Sequence, residues 1–226
     1  MKTVNDIRNE FILKRKNLEF NDDRSGQKII EMLGASFVAD EPSIFGKPSK
    51  TYIEREIDWY MKQSTNINDI YGWDRKPPEA WQHSANTWGE INSNYGHLIF
   101  SEKYYNQYKR VRNELIDSPS GRRATMVYNR PSIWIEYNEN GKSDFICTNA
   151  VSYYIRDNRL NCVVQMRSND VVFGYKNDYA WQKFLLDSLV EDIKPLNTTL
   201  EPGYIIWQVQ NLHIYERHFH LLNEEK

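Results

Sequence analysis

Between Met166 and Gln182 the chain reads MRSNDVVFGYKNDYAWQ. Three apolar residues, Val171-Val172-Phe173, are enclosed by Arg167, Ser168 and Asp170 on one side and by Lys176, Asn177 and Asp178 on the other. A buried charge is costly unless it is paired or hydrogen-bonded. So small an apolar centre, a buried strand segment or a turn, leaves two solutions for its polar neighbours. Either the strand lies at an edge with solvated ends, or the groups converge on a polar ligand.

Composition narrows the setting. At 226 residues and 40% hydrophobic, the chain can bury the core of one large domain or two small ones. Its 15 Tyr and 7 Trp each carry a polar tip that needs a partner when buried. Cys147 and Cys162 are too few for a disulfide framework, which points to a reducing compartment. The opening MKTVNDIRNEFILKRK lacks the apolar run of a signal peptide, and no window approaches the ~20 apolar residues of a membrane span, so a cytoplasmic location is expected. A net charge of −2 gives no general argument for nucleic-acid binding, so any anion site must be local.

Along the chain, residues 3–18 read as an amphipathic helix opened by a Thr3–Asp6 capping box. KIIEMLGASFVA (28–39) is β-like. TYIEREIDWYMKQ (51–63) carries Ile53, Ile57, Tyr60 and Met61 at helical spacing, and loop chemistry fills much of 64–96. Ser101 then caps a helix with Tyr104, Tyr108, Val111 and Leu115 on one face. RRATMVYN, SDFICTNAVSYYI and RLNCVVQMR read as strands, the last two joined through Arg156-Asp157-Asn158-Arg159. Asn177 opens a helix with Trp181, Phe184, Leu185 and Leu189 on its buried side, and GYIIWQV (203–209) is a final strand. With no repeat or convincing linker, one α+β domain over residues 1–226 is expected.

The residues alone leave the chemistry open. Cys147 is either a small buried hydrophobe in a strand or a nucleophile, whereas Cys162 fits the buried reading well. Arg24, Arg122, Arg123, Arg167 and Ser168 seek anions, and guanidinium groups near a thiol would lower its pKa. Spacing does not bring these segments together. Asp178 is either a carboxylate favoured by a helix N-terminus or a ligand contact.

DRSG, EREIDWYMKQSTNI, NSNYG, SGRRATM, SDFICTN, MRSNDVVFGYKND and LHIYERH stand in the order and rough spacing of the thymidylate synthase superfamily, which the chain resembles from about Arg24 to His218. GEINSNYG, SDFICTN and RSNDVVFGYKNDYAWQK look nearer to one branch, the deoxycytidylate hydroxymethylases of T-even-type bacteriophages. Several multi-residue motifs in one order are more specific than a lone short motif. The resemblance implies an α+β fold, a mixed β-sheet packed with helices, with a sheet face at a homodimer interface.

It also implies roles. Cys147 aligns with the nucleophile that adds to C6 of a pyrimidine nucleotide and makes C5 reactive. The co-substrate would be 5,10-methylenetetrahydrofolate, with no metal. Its one-carbon unit joins C5 and leaves an exocyclic methylene, which synthases reduce with hydride and hydroxymethylases hydrate. Arg24, Arg167 and Ser168 match phosphate ligands, and Arg122 and Arg123 match a pair lent by the second subunit. Glu56 falls on a glutamate that orders water and moves protons near the base, and Tyr95 on a tyrosine near the nucleophile. His213 and Tyr215 match the pair that binds the sugar 3′-hydroxyl; Asp170 and Trp81 fall on folate-side positions. Asp178 replaces the asparagine that synthases use for uracil, and a carboxyl sharing one proton with N3 complements cytosine. The opening stretch is then polar because it faces phosphate, folate and base.

Two departures bear on the outcome. Ile146-Cys147-Thr148 replaces the Pro-Cys-His of synthases, and the sequence stops at Lys226, ahead of the tail that covers folate there. A site without that tail is expected to admit water more easily, which suits hydration. The leading expectation is a dCMP hydroxymethylase that makes a nucleotide for modified phage DNA in the host cytoplasm. A dUMP-using synthase or hydroxymethylase, an enzyme acting on CMP, and a binder of nucleotide or RNA without turnover are the alternatives.

Overall fold

A computed structural model describes residues 1–72 and 74–223. The chain opens with strand β1 (Lys2–Thr3), helix α1 (Val4–Lys16) and strands β2 (Asn21–Asp22) and β3 (Lys28–Val38). Helices α2 (Lys50–Met61), α3 (Glu79–Ser84), α4 (Tyr95–Phe100) and α5 (Gln107–Asp117) follow, then β4 (Thr125–Val127) and the short α6 (Ile133–Glu136). Strands β5 (Thr148–Arg156), β6 (Arg159–Met166) and β7 (Asn169–Asp170) lead into α7 (Gly174–Ile193), and β8 (Glu201–Tyr215) is the last strand. The chain clusters into two compact units, Met1–Pro48 with Tyr153–Lys226, and Ser49–Ser152.

In the first unit the sheet is mixed. β3 runs antiparallel to β8, from Ile29↔Tyr215 to Val38↔Ile206. β6 and β7 lie parallel to β8, and β1 is parallel to β3. Parallel neighbours need a crossover rather than a tight turn, and the 20 residues of α7 supply it between β6 and β8. α7 buries Trp181, Leu185, Leu189 and Ile193, spaced one turn apart. Its fellow helix α1 begins as expected: Thr3 accepts from the Asp6 amide while Asp6 accepts from the Thr3 amide, and Val4, Ile7 and Phe11 are buried. Asp157 and Asn158 both take positive φ, 52° and 56°, the geometry of a two-residue hairpin turn between β5 and β6.

In the second unit α2 buries Glu56, Trp59 and Tyr60, and β4 pairs with the start of β5 from Thr125↔Ser152 to Val127↔Ala150. α4 comes close to α2 because residue 96 has no side chain. A Cβ on Gly96 would stand 1.8 Å from the Tyr60 carbonyl oxygen. That approach stacks Tyr95 on Tyr60, with ring centroids 5.5 Å apart.

Several boundaries differ from the sequence reading. Met61 is 45% exposed, and Trp59 and Glu56 join Tyr60 on the buried face of α2. Ser101 precedes only a short 3-10 turn. Tyr105 and Asn106 then adopt positive φ, and Asn106 caps α5 by accepting from Lys109, so Tyr104 lies outside that helix. Residues 64–96 hold a 3-10 turn over Ile67–Ile70, α3 and the start of α4. The strand expected over 143–155 begins only at Thr148, because Asp144 turns inward to bind backbone amides. α7 starts at Gly174, three residues before Asn177, because Asp170 accepts from the amides of Val172 and Phe173 and sets the turn. Among the described residues no helix is long and apolar enough to cross a membrane.

Gly96→Ala should lower stability by about 3 kcal/mol, the upper range for overpacking, since backbone rather than a flexible side chain blocks the new methyl. Urea unfolding checks this, and a variant as stable as its parent would show that α4 can retreat freely.

Candidate active site

Cys147 stands half-buried at the residue before β5, with its Sγ 3.9 Å from the Phe145 carbonyl oxygen. Asp144 holds the segment that leads to it. Buried, it accepts from the Asn92 amide at 2.6 Å, the Ser93 amide at 2.7 Å and Ser93 Oγ at 2.6 Å. Burial raises its pKa, and these donors oppose the rise. Asn92 Nδ2 donates back to the Asp144 carbonyl at 3.0 Å and to the Glu136 carbonyl at 2.9 Å. On the other side of Cys147, Thr148 Oγ1 donates to the Tyr95 hydroxyl at 3.0 Å. Cys162 differs: it is fully buried, and burial pushes its thiol up to about 12.

Glu56 faces inward from α2. Its Oε1 accepts from the Tyr52 hydroxyl at 2.5 Å and from Trp81 Nε1 at 3.2 Å, and the same indole lies 2.9 Å from the Tyr52 oxygen. Tyr52 and Glu56 are four residues apart, which puts them on one helix face. Burial pushes Glu56 up to about 7, against both donors. Burial and the neighbouring Glu56 charge hold Tyr52 protonated. Trp81, assigned by resemblance to the folate side, thus also orients the glutamate, and its ring packs edge-on against Trp59 at 5.2 Å.

In the other unit the stretch that opened the sequence reading becomes a strand, a turn and the head of a helix. β7 lays Asp170 beside His213 of β8. Asp170 accepts from the Val172 amide at 2.8 Å and the Phe173 amide at 3.2 Å, so its carboxylate is fixed. Val171 and Val172 are buried while Phe173 is 52% exposed. Asp178 is half-buried in the second turn of α7 and accepts at Oδ2 from Asn169 Nδ2, 2.8 Å away. Helix-dipole stabilisation fades beyond the first turn, so that explanation of Asp178 weakens.

A hydrogen-bonded chain sets the tautomer of His213. Asn21 Nδ2 and Asn211 Nδ2 both donate to Glu31, and a carboxylate only accepts. Asn211 therefore turns its oxygen toward His213 Nδ1, 3.2 Å away, which must carry the proton and leaves Nε2 as acceptor. Burial lowers the His213 pKa, with the Asp170 charge opposing. The Tyr215 ring stands edge-on at 5.0 Å.

The anion-seeking residues lie on connections. Arg24 is exposed on the β2–β3 turn, which Asp23 shapes by accepting from the amides of Ser25 and Gln27. Arg167 and Ser168 form the half-buried link from β6 to β7. Arg122 and Arg123 are exposed just before β4. Arg123 Nε donates to Glu114 at 3.1 Å, but its side chain is 78% exposed, and such surface pairs are weak enough to exchange for a phosphate. Among the described residues no group of three His, Cys, Asp or Glu side chains is placed to hold a metal ion.

Sequence reasoning missed Tyr52, Asp144, Asn169, Asn211 and Glu31. Tyr52 was detectable from its helical spacing to Glu56, and Asn169 from its place between Ser168 and Asp170. The others act through contacts distant in sequence.

Residues 16–225 match the model of the thymidylate synthase family, and the chain belongs to that family. The crystal structure of thymidylate synthase from T4 phage shares the fold, with a TM-score of 0.71 at 22% identity over 91% of this chain and 76% of that one. The deoxycytidylate 5-hydroxymethyltransferase of Enterobacteria phage T4 is 51% identical over 98% of this chain and 89% of its own length, and that of phage T2 gives the same figures. A thymidylate synthase of Fusobacterium nucleatum is 32% identical and covers 79% of this chain and 61% of its own length.

Glu56 gives a signed pH prediction. Its carboxyl is raised from 4.5 to about 7 on folding, so its favourable contribution is complete below about 4.5 and is lost as pH rises through about 7. Glu56→Gln does not titrate. Its Tm relative to the parent should therefore climb steadily between about pH 5 and about pH 8. A constant difference across that range would mean that burial does not penalise the charge.

Proposed function

We propose that this chain is a deoxycytidylate 5-hydroxymethyltransferase that converts dCMP, 5,10-methylenetetrahydrofolate and water to 5-hydroxymethyl-dCMP and tetrahydrofolate. The observation that carries the reading is the 51% identity to the phage T4 enzyme of that name over 98% of this chain. Asp178 in place of the family's uracil-reading asparagine agrees with it.

In this reading the Cys147 thiolate adds to C6 of the cytosine, and the electron pair displaced onto the ring makes C5 nucleophilic. Asp178 shares a proton with N3, which relieves the charge that the addition pushes there, and accepts from the 4-amino group. The bound folate supplies an electrophilic one-carbon unit. Asp170 fits it: the carboxylate is held by two backbone amides and keeps lone pairs for N–H donors of a pterin. Trp81 offers an aromatic face near Glu56.

Once that unit is bonded to C5, loss of the C5 proton and then of the tetrahydrofolate amine leaves an exocyclic methylene. Glu56, pushed to about 7, is suited to passing protons near C5 and to orienting the water that adds to this methylene. Expulsion of Cys147 from C6 then restores the ring. Thr148 follows the nucleophile where synthases carry histidine, and its hydroxyl is bonded to Tyr95. His213 Nε2 accepts from the sugar 3′-hydroxyl, with Tyr215 beside it. Arg24, Arg167 and Ser168 bind the phosphate, joined by Arg122 and Arg123 of a second subunit in a homodimer. Residues 1–226 act as one catalytic domain, in the cytoplasm of the infected cell.

The test is tritium release from C5-labelled dCMP, dUMP and CMP, with and without methylenetetrahydrofolate, and the product identified by mass. Folate-dependent release from dCMP with a hydroxymethyl product is expected, and Cys147→Ser should lose at least about 1,000-fold in rate. Asp178→Asn should lower kcat/KM for dCMP about 100-fold, because a carboxamide cannot carry the N3 proton. Release from dUMP with a methyl product would overturn the reading.

A further inference from the structure

Asn169 is buried between Ser168 and Asp170 and joins two other side chains. Trp207, fully buried in β8, donates its indole N–H to Asn169 Oδ1 at 3.2 Å, and Asn169 Nδ2 donates to Asp178 Oδ2 at 2.8 Å. An indole nitrogen can only donate, so Trp207 decides which end of the amide faces which way. The NH2 group is thereby held toward Asp178. Gly174 leaves room for the arrangement: a Cβ there would lie 3.0 Å from Asn169 Nδ2 and 3.5 Å from Asp170 Cβ.

We infer that Asn169 is a positioning residue for base selection: it fixes which oxygen of Asp178 accepts and which carries the proton. The inference rests on the reading of Asp178 as the base contact. With Oδ2 committed to an amide N–H, a proton on the carboxyl resides on Oδ1. Asp178 then presents one acceptor and one donor in a set order. That order matches the 4-amino group and N3 of cytosine and opposes O4 and N3–H of uracil. Without Asn169 the proton can sit on either oxygen, both orders become accessible, and discrimination falls. Phosphate and sugar contacts are untouched.

The test is a double-mutant cycle of Asn169→Ala and Asp178→Ala, read as the ratio of dissociation constants for dUMP and dCMP measured by calorimetry. The ratio needs no turnover, and a change in the folded fraction cancels from it. Asn169→Leu, which keeps the volume without the hydrogen bonds, is measured alongside. The parent should favour dCMP, and Asp178→Ala should remove most of that preference. Asn169→Ala and Asn169→Leu should each cut the ratio about tenfold in the parent and change it less than about twofold when Asp178 is already alanine. If either variant leaves the ratio intact, or cuts it equally in both backgrounds, Asn169 only packs, and the positioning role is overturned while the base contact stands. A parent without preference for dCMP, or a preference that survives Asp178→Ala, overturns the base contact and this inference with it.

Discussion

The surroundings of the cysteine depend on one carboxylate almost out of reach of water. Asp144 stands three residues ahead of Cys147 and replaces its lost hydration with two backbone amides and a serine hydroxyl. Backbone donors cannot rotate away, so the bonds lock residues 92–93 to residue 144 in one geometry. The rest follows in sequence. Asn94 comes next, reaches back to the Ser64 carbonyl at 2.7 Å and caps α4 through the His97 amide. Tyr95 is then the first residue of α4, where its hydroxyl meets Thr148 on the far side of the cysteine. The result is a closed ring of contacts around residues 144–148. Removing one partner from a buried, hydrogen-bonded charge leaves the charge uncompensated, which is why such a ring tolerates little change.

Glu56 shows the other use of a buried carboxyl. Its donors are a phenol and an indole, side-chain groups rather than backbone, and they converge on one oxygen. Burial outweighs them and leaves the proton free to come and go near neutrality, at about 7. Burial raises both carboxyls, but Asp144 is tied down by two backbone amides and a hydroxyl, whereas Glu56 is met only by side-chain donors. The two differ in the number and kind of donors rather than in burial, since both are enclosed.

What the sequence discloses about this chain divides along the range of the interaction. The Thr3–Asp6 box, the buried stripe of α7 and the two-residue turn at Asp157-Asn158 are written in neighbours, and each forms as the spacing suggests. Ser101 shows the limit: its side chain makes no cap hydrogen bond, and the left-handed break at Tyr105 with the Asn106 cap that follows sets the start of α5 instead. α7 starts three residues ahead of Asn177 because Asp170, a ligand candidate by its motif, also sets the turn. Motif order was enough to nominate Cys147, Glu56 and Asp178. Asp144 and Asn211 escaped because their partners, Ser93 and Glu31, are remote in the chain.

The same distinction governs how the base would be read. On the proposed reading, residue 178 supplies the recognising group, but Trp207 and Asn169 decide how that group is turned. An asparagine at 178 would still meet the Asn169 NH2 group, and its own oxygen would have to face it. Its NH2 would then occupy the position of the carboxyl proton and oppose N3–H of uracil. A single exchange of Asp for Asn therefore removes the shared proton without creating the uracil pattern, which needs the amide reversed and the Asn169 contact given up. On that reading, base preference in this chain is a property of three residues on two strands and a helix, and only Asp178, on the helix, touches the base.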